Sequence, residues 1–372
     1  MSLSIPTAVL AGCTTALLFQ PVATAVDGSS SPSASVRTSA GGGSVTSLAL
    51  GSGGAVAPRA TRPFQLLGVV WDGAPDALAQ GSVRVRTRDH ATGRWSDWQQ
   101  LEADATDAPD DASRGATAPL WTGRSDGVAV DVRPGPAGLP RGLRVELVDP
   151  GRGATTREST TLPERPAGST STAPRPGIVT RAGWGADESI RESGFVYTGT
   201  VKVTFIHHTA TSTDYACSDA PGIIRSIYAY HVQSNGWRDI GYNFLVDRCG
   251  TIYEGRAGGV DQPVLGAHTL GFNTNSSGIA AIGTYGSTTP PQALQDGLAK
   301  ISAWKLGLTG QTAGDATHLT SGSSASLYAS GTSVEFNTIS GHRDGFATEC
   351  PGGALYAKLP DIRDTALSLQ GG

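Results

Sequence analysis

Residues 341–353 read GHRDGFATECPGG, which sets His342 and Cys350 eight positions apart in a glycine-studded stretch. The chain has only four cysteines, and this one does not lie in the apolar run that a buried structural cysteine would occupy. A second candidate pair, His207 and His208, ends the run VKVTFIHH. A catalytic zinc takes three protein ligands and leaves its fourth position for water or substrate. Cysteine serves as a ligand once its proton is lost. His207, His342 and Cys350 make a His2Cys set of that kind. By spacing alone it competes with the plainer reading of one structural cysteine and ordinary histidines. The His-Glu-x-x-His signature of zinc peptidases is absent from the sequence.

The elements that must position these groups are legible in outline. VKVTFIHH reads as a buried strand that carries His207 rigidly to its end. SDAPGIIRSIYAYHVQSN reads as a helix, with Ser218 or Asp219 capping it, Pro221 in its first turn, and Ile223, Ile224, Ile227 and Tyr230 on its apolar face. YNFLVD and TIYEG flank a short turn and read as a hairpin, and GIAAIGTY as another buried strand. PPQALQDGLAKISAWKLG opens on proline and reads as a second helix. The expected C-terminal fold, over 177–368, is an α/β domain: a central mixed β-sheet with helices packed on it.

The N-terminal half has a different texture. Residues 1–25 read as an export signal ending in Ala23-Thr24-Ala25, with Leu10-Ala11-Gly12-Cys13 also resembling a lipoprotein cleavage box. Because the apolar stretch continues past Cys13, ordinary secretion to the cell wall or medium is the expectation, with no stable membrane span. Residues 26–62 are rich in Ser, Gly and Ala and are expected to form a flexible tether. Short Val- and aromatic-rich runs between 63 and 150, punctuated by Gly, Pro and Asp, predict a small all-β sandwich-like domain of unassigned role. It holds Trp71, Trp95, Trp98 and Trp121, either as core or as an aromatic platform for glycan. Residues 151–176 are expected to be a Pro/Ser/Thr linker. The formal net charge of −4 argues against a nucleic-acid partner.

Five words occur in order over the C-terminal half: FIHHTAT, GWRDIGYNFLVDRCGTIYEGR, GAHTLGFN, GIAAIGTY and GHRDGFATECPGGALY. Together they closely resemble the peptidoglycan recognition protein family, the type 2 N-acetylmuramoyl-L-alanine amidases. The resemblance implies one zinc ion held by His207, His342 and Cys350, and hydrolysis of the amide between N-acetylmuramic acid and L-alanine. It implies a catalytic role for Tyr242. Thr348 stands where phage members carry a catalytic lysine, and with Tyr242 it can donate to a developing oxyanion. Gly236, Trp237 and Arg256 match the set that goes with diaminopimelate-type stems, and His268 matches a cleft position that contacts substrate. Arg343 and Asp344 are expected to brace the ligand loop, and His208 to be structural. Non-catalytic members of the family are receptors and typically lack the cysteine ligand, so a recognition module is the alternative. The expected partner is a muropeptide, met by a monomer. Setting Cys13 aside, three cysteines remain, and a Cys217–Cys249 disulfide accounts for the odd count, with two free thiols as the alternative.

Overall fold

The computed structural model describes Met1 and residues 34–371, except 79, 103–107, 111, 155–159 and 165–170. The expected export signal and Cys13 lie outside the described residues.

The N-terminal domain is all-β. Its strands are β1 (Ala34–Thr38), β2 (Ser44–Ala49), β3 (Ala55–Asp72), β4 (Ser82–Asp89), β5 (Gln99–Leu101), β6 (Arg114–Ala116), β7 (Leu120–Arg133) and β8 (Arg144–Asp149). They join in the order β1-β2-β8-β3-β7-β4-β5, with β6 on β3. Leu67, Val69, Trp71, Val83, Val85, Val128, Val130 and Val145 form its buried core. Trp71 and Trp121 are therefore core residues, while Trp98 is 42% exposed.

The expected tether is corrected here. Its described part is strand: β1, β2 and the first half of β3 lie within it. The run is poor in large apolar residues, but its strands are held by their neighbours, β1 by β2, β2 by β8 and β3 by β7. Pairing and half-burial on a neighbouring strand decide strand formation more than local composition does. Pro58 and Pro63 interrupt the pattern, and both fall where the β3–β7 register shifts. A bulge is where a strand tolerates a residue without an N–H.

The expected linker is corrected in the same way at its described ends. β9 (Thr161–Leu162) pairs antiparallel with β10 (Ile178–Val179), and the Ser171 hydroxyl donates to the Trp304 carbonyl at 3.2 Å.

The C-terminal domain continues with α1 (Arg181–Trp184), β11 (Val203–His208), α2 (Ala220–Ala229), β12 (Phe244–Val246), β13 (Ile252–Glu254), β14 (Ser276–Ala281), α3 (Gln292–Gly307), β15 (Ala316–Thr320), β16 (Ser333–Asn337), β17 (Ile339–Gly341), α4 (Gly353–Tyr356) and α5 (Leu359–Leu369). The seven-stranded sheet runs β17-β11-β14-β12-β13-β10-β9. β11 is parallel to β14 and β17, whereas β12 and β13 form the antiparallel hairpin. The expected mixed α/β fold is what forms. Helices α3 and α5 cover one face through Leu294, Leu298, Ile301, Trp304, Leu359 and Ile362. Cys217 and Cys249 form a disulfide.

Helix α2 covers the other face and is apolar on both sides. Ile223, Ile224, Ile227, Tyr228 and the adjoining Tyr230 are all at most 1% exposed. They share one core with Val45, Leu66, Val70, Trp121 and Val148 of the β domain. Arg225 is tied to the carbonyls of Trp184, Pro150 and Gly151, and the apolar residues turned away from the sheet are buried by the β domain, which completes the burial of α2. At this seam the Tyr230 hydroxyl donates to the Thr117 carbonyl at 3.1 Å. A Cβ at Gly68 would fall inside contact distance of that hydroxyl and ring. Gly68→Ala is therefore expected to cost about 1–3 kcal/mol of unfolding free energy, the range for overpacking. Chemical denaturation of the full chain measures it, and an unchanged midpoint would show that the seam yields freely.

Candidate metal centre

The register of two parallel strands builds the centre. In β11 and β17, Ile206 pairs with Gly341, so the next residue on each chain, His207 and His342, emerges side by side at the carboxyl ends. Their ring centroids are 4.4 Å apart. Open α/β sheets place ligands at such carboxyl ends. Beyond His342 the chain turns through a short helical segment and returns, with Arg343 N–H donating to the Cys350 carbonyl at 3.1 Å. That return places the Cys350 sulphur against β11, where it accepts the His208 backbone N–H at 3.3 Å.

His207, His342 and Cys350 are all buried, and one ligand atom from each lies within 4.8 Å of the others. Cys350 Sγ and His207 Nδ1 are 3.8 Å apart. Tetrahedral zinc, with Zn–N near 2.0–2.1 Å and Zn–S near 2.3 Å, sets its ligand atoms roughly 3.5 Å from one another. Two imidazoles and one thiolate at this separation fit that ion. His207 Nε2 faces Thr269 Oγ1 at 3.4 Å, which orients the ring so that Nδ1 turns toward the cysteine. Outer hydrogen bonds of this type fix the tautomer of metal-ligating histidine.

The ligand loop is braced from behind. Asp344 accepts the Gly341 N–H at 2.8 Å and the Tyr356 hydroxyl at 2.6 Å. Its carboxylate, as acceptor of that hydroxyl, pushes the Tyr356 pKa up to about 12. Arg343 reaches the Glu349 carbonyl and, at 3.2 Å, its carboxylate. Thr348 Oγ1 accepts the Cys350 N–H at 3.1 Å.

Tyr242 lies beside the centre, its ring 5.6 Å from that of His207. It is 3% exposed. Trp237 stacks at 4.3 Å on His231, whose Nδ1 accepts the Gly241 N–H at 3.1 Å. Gly236 precedes it at φ +77°, a turn that a glycine makes without strain. Arg256 lies in a different cavity from Cys350 and Tyr242. Its guanidinium donates to the carbonyls of Ile240, Leu265 and Asp239. It lines a cavity of about 310 Å3 together with Arg191, Arg238, Asp239 and Gly266.

His268, the residue expected to contact substrate, lies beside His207. It is fully buried, with Nδ1 at 3.0 Å from Thr269 Oγ1 and Nε2 at 3.4 Å from Ser276 Oγ. Its ring packs edge-on against that of His207 at 5.2 Å. His208, as expected, is structural in its contacts: its Nδ1 accepts the Tyr285 N–H at 3.3 Å.

Two family models match the chain. One, described as N-acetylmuramoyl-L-alanine amidase, matches residues 197–353. The other, described as Rv3811 N-terminal galactose-binding domain-like, matches residues 20–173. Peptidoglycan-recognition protein SC2 of Drosophila simulans is 31% identical over 185 residues, 49% of this chain and 84% of that protein. The chain belongs to the peptidoglycan recognition protein and type 2 amidase family. A peptidoglycan recognition protein of Trichoplusia ni is 33% identical over 162 residues, 43% of this chain and 73% of its own length. Among solved structures, Drosophila PGRP-LB aligns at 27% identity over 49% of this chain and 91% of its own, with a TM-score of 0.38.

The two family models divide the chain as the fold does. The part common to these relatives carries the centre, and the β domain lies outside it. Sequence reasoning missed the supports contributed by Thr269 and Asn273. The side-chain oxygen of Asn273 accepts the N–H groups of both His268 and Thr269. It also missed the β-domain residues Glu102, Ala108, Arg114 and Ala116, which line one narrow cavity with His208, Tyr242, Trp237 and Cys350.

Proposed function

We propose that this chain is a zinc-dependent N-acetylmuramoyl-L-alanine amidase that acts on diaminopimelate-type peptidoglycan. The observation that carries the reading is the buried His207–His342–Cys350 triangle with Tyr242 beside it. A zinc ion held there supplies Lewis acidity toward the scissile carbonyl and an acidified water. His207 and His342 offer neutral imidazole nitrogens, and Cys350 a thiolate that accepts the His208 N–H. The Tyr242 hydroxyl is suited to donate to the oxygen that gains charge as the amide is attacked. Thr348 holds the ligand loop through its hydroxyl oxygen, and its O–H is the second candidate donor. The other reading is a recognition module without catalysis; its members typically lack the cysteine ligand that this chain has.

The same reading puts the protein outside the cytoplasm, as a monomer whose partner is a muropeptide. The Cys217–Cys249 disulfide supports the compartment, because such bonds persist in oxidising surroundings. Among the described residues no helix is long and apolar enough to cross a membrane.

Specificity rests on charge. Diaminopimelate differs from lysine by a carboxylate, and Arg256 lies in a cavity wall with Arg191 and Arg238. A guanidinium and a carboxylate make a charge-assisted contact that lysine-type stems cannot offer.

Four outcomes test this reading. Purified protein should carry one zinc per chain and release stem peptide from sacculi, with activity lost to a chelator. Cys350→Ser should lower both zinc content and turnover, because a neutral hydroxyl replaces a thiolate; full occupancy with unchanged activity would remove Cys350 from the ligand set. Tyr242→Phe should keep the zinc and slow turnover by about 10²–10³-fold, as loss of one oxyanion donor does; near-normal turnover would assign the hydroxyl no catalytic part. The wild type should cleave diaminopimelate-type fragments faster than matched lysine-type ones, and Arg256→Val should lose that preference more than it loses lysine-type activity. A melting curve of Arg256→Val checks that its three carbonyl contacts are not needed for the fold. Equal wild-type rates on both fragments would refute the preference.

A further inference from the structure

The metal ligands and Tyr242 are at most 3% exposed, and over Cys350 and Tyr242 part of the wall comes from the β domain. The cavity that touches Cys350 and Tyr242 has room for only about 40 Å3 of water. Sites that admit organic ligands usually offer roughly 300–1,000 Å3. Its outer wall includes Ala108, Arg114, Ala116 and Thr117, all from the β domain.

Residues 108–110 are seated on the C-terminal domain as a bound peptide would be. The Ala108 side chain is buried between Trp237 and Ala267. Its carbonyl accepts from Asn273 Nδ2 at 3.1 Å. Two residues on, the Asp110 carboxylate accepts the Gly271 N–H at 2.8 Å and the same Asn273 amide at 3.1 Å. Further along, Arg114 donates to the Ser234 carbonyl at 3.2 Å, beside Gly236. Pro109 and Asp110 also stand between two larger spaces. One is the Arg256 cavity of about 310 Å3. The other is a cleft of about 820 Å3 bounded by Leu270, Phe346 and Glu349. The strap thus stands between these two spaces, and Ala108 also lines the narrow cavity that touches Cys350 and Tyr242.

We propose that this strap is an internal occupant of the peptide groove, an alanine and a carboxylate held where an acidic, alanine-bearing stem peptide would bind, and that substrate enters only when the strap is displaced. The identity of the displaced ligand rests on the peptidoglycan reading above; the occlusion itself does not. The anchors suit a reversible cover. They comprise one small methyl side chain and a few hydrogen bonds, each of modest net strength because water competes for the same groups. A closed strap lowers apparent affinity in proportion to the fraction of molecules that are open.

The test uses the full chain and the free tripeptide L-alanyl-γ-D-glutamyl-diaminopimelate, which has no muramoyl amide to cleave. Calorimetric affinity is compared among wild type, Asp110→Ala and Arg114→Ala, with hydrogen exchange followed at the Gly271 amide. Asp110→Ala removes two charge-assisted hydrogen bonds and should bind the peptide about 10-fold or more tighter. Arg114→Ala loosens the other anchor and should act in the same direction. In both variants the Gly271 amide should exchange faster, and added peptide should slow it again. Unchanged or weaker affinity with unchanged exchange in both variants would overturn the proposal. Faster exchange in both with peptide bound by none would leave the cover standing while overturning the stem-peptide ligand, and with it the peptidoglycan reading.

Discussion

The parallel pairing of β11 with β17 is the constraint on which the centre depends. Two imidazoles from residues 135 positions apart meet because Ile206 and Gly341 share a register position. A slip of one residue would turn His342 to the opposite face of the sheet. The rest of the local architecture holds that register. Asp344 ties the N–H of Gly341 to Tyr356, and Arg363 donates to the Ile339 carbonyl at 2.8 Å. The ligand loop then has one path back, closed by the contact of Arg343 N–H with the Cys350 carbonyl.

Burial makes this placement demanding. His207, His342 and Cys350 have been taken out of water, and a polar group without a partner in such surroundings is costly. The surroundings answer at His207 and Cys350, through Thr269 Oγ1 and the His208 N–H. Asn273 extends the answer outward. Its carbonyl oxygen fixes the backbone of residues 268 and 269, and its amide nitrogen reaches Ala108 and Asp110. One side chain therefore links the support of a metal ligand to the strap that covers the site.

Much of the C-terminal domain was legible because its elements are locally consistent. VKVTFIHH is rich in β-branched and apolar residues, and its last six residues form β11, every one of them buried. The α2 helix followed from Pro221 and the isoleucine spacing, although its second buried side did not, because a helix read alone does not announce what will cover its far face. The ligand triad gained its weight from the family words and not from spacing, since a register between residues 135 positions apart leaves no local trace. The tether was misread because composition reports what a segment can bury by itself, whereas β1 and β2 are held by pairing with their neighbours.

The β domain changes what kind of object the centre is. Taken alone, a sheet with its ligands at the carboxyl ends of β11 and β17 would present an open groove. Here Trp121, Val45 and Leu66 bury the outer side of α2, which fixes the β domain against the C-terminal domain over an apolar contact. That fixed seam allows residues 108–110 to lie against the C-terminal domain with few bonds of their own, because Leu66 and Val70 of β3 and Ala116 of β6, not these residues, supply the adhesion. Binding strength and cover are thus separated: the apolar seam is built to persist, and the polar strap is built from contacts that water or a competing carboxylate can replace.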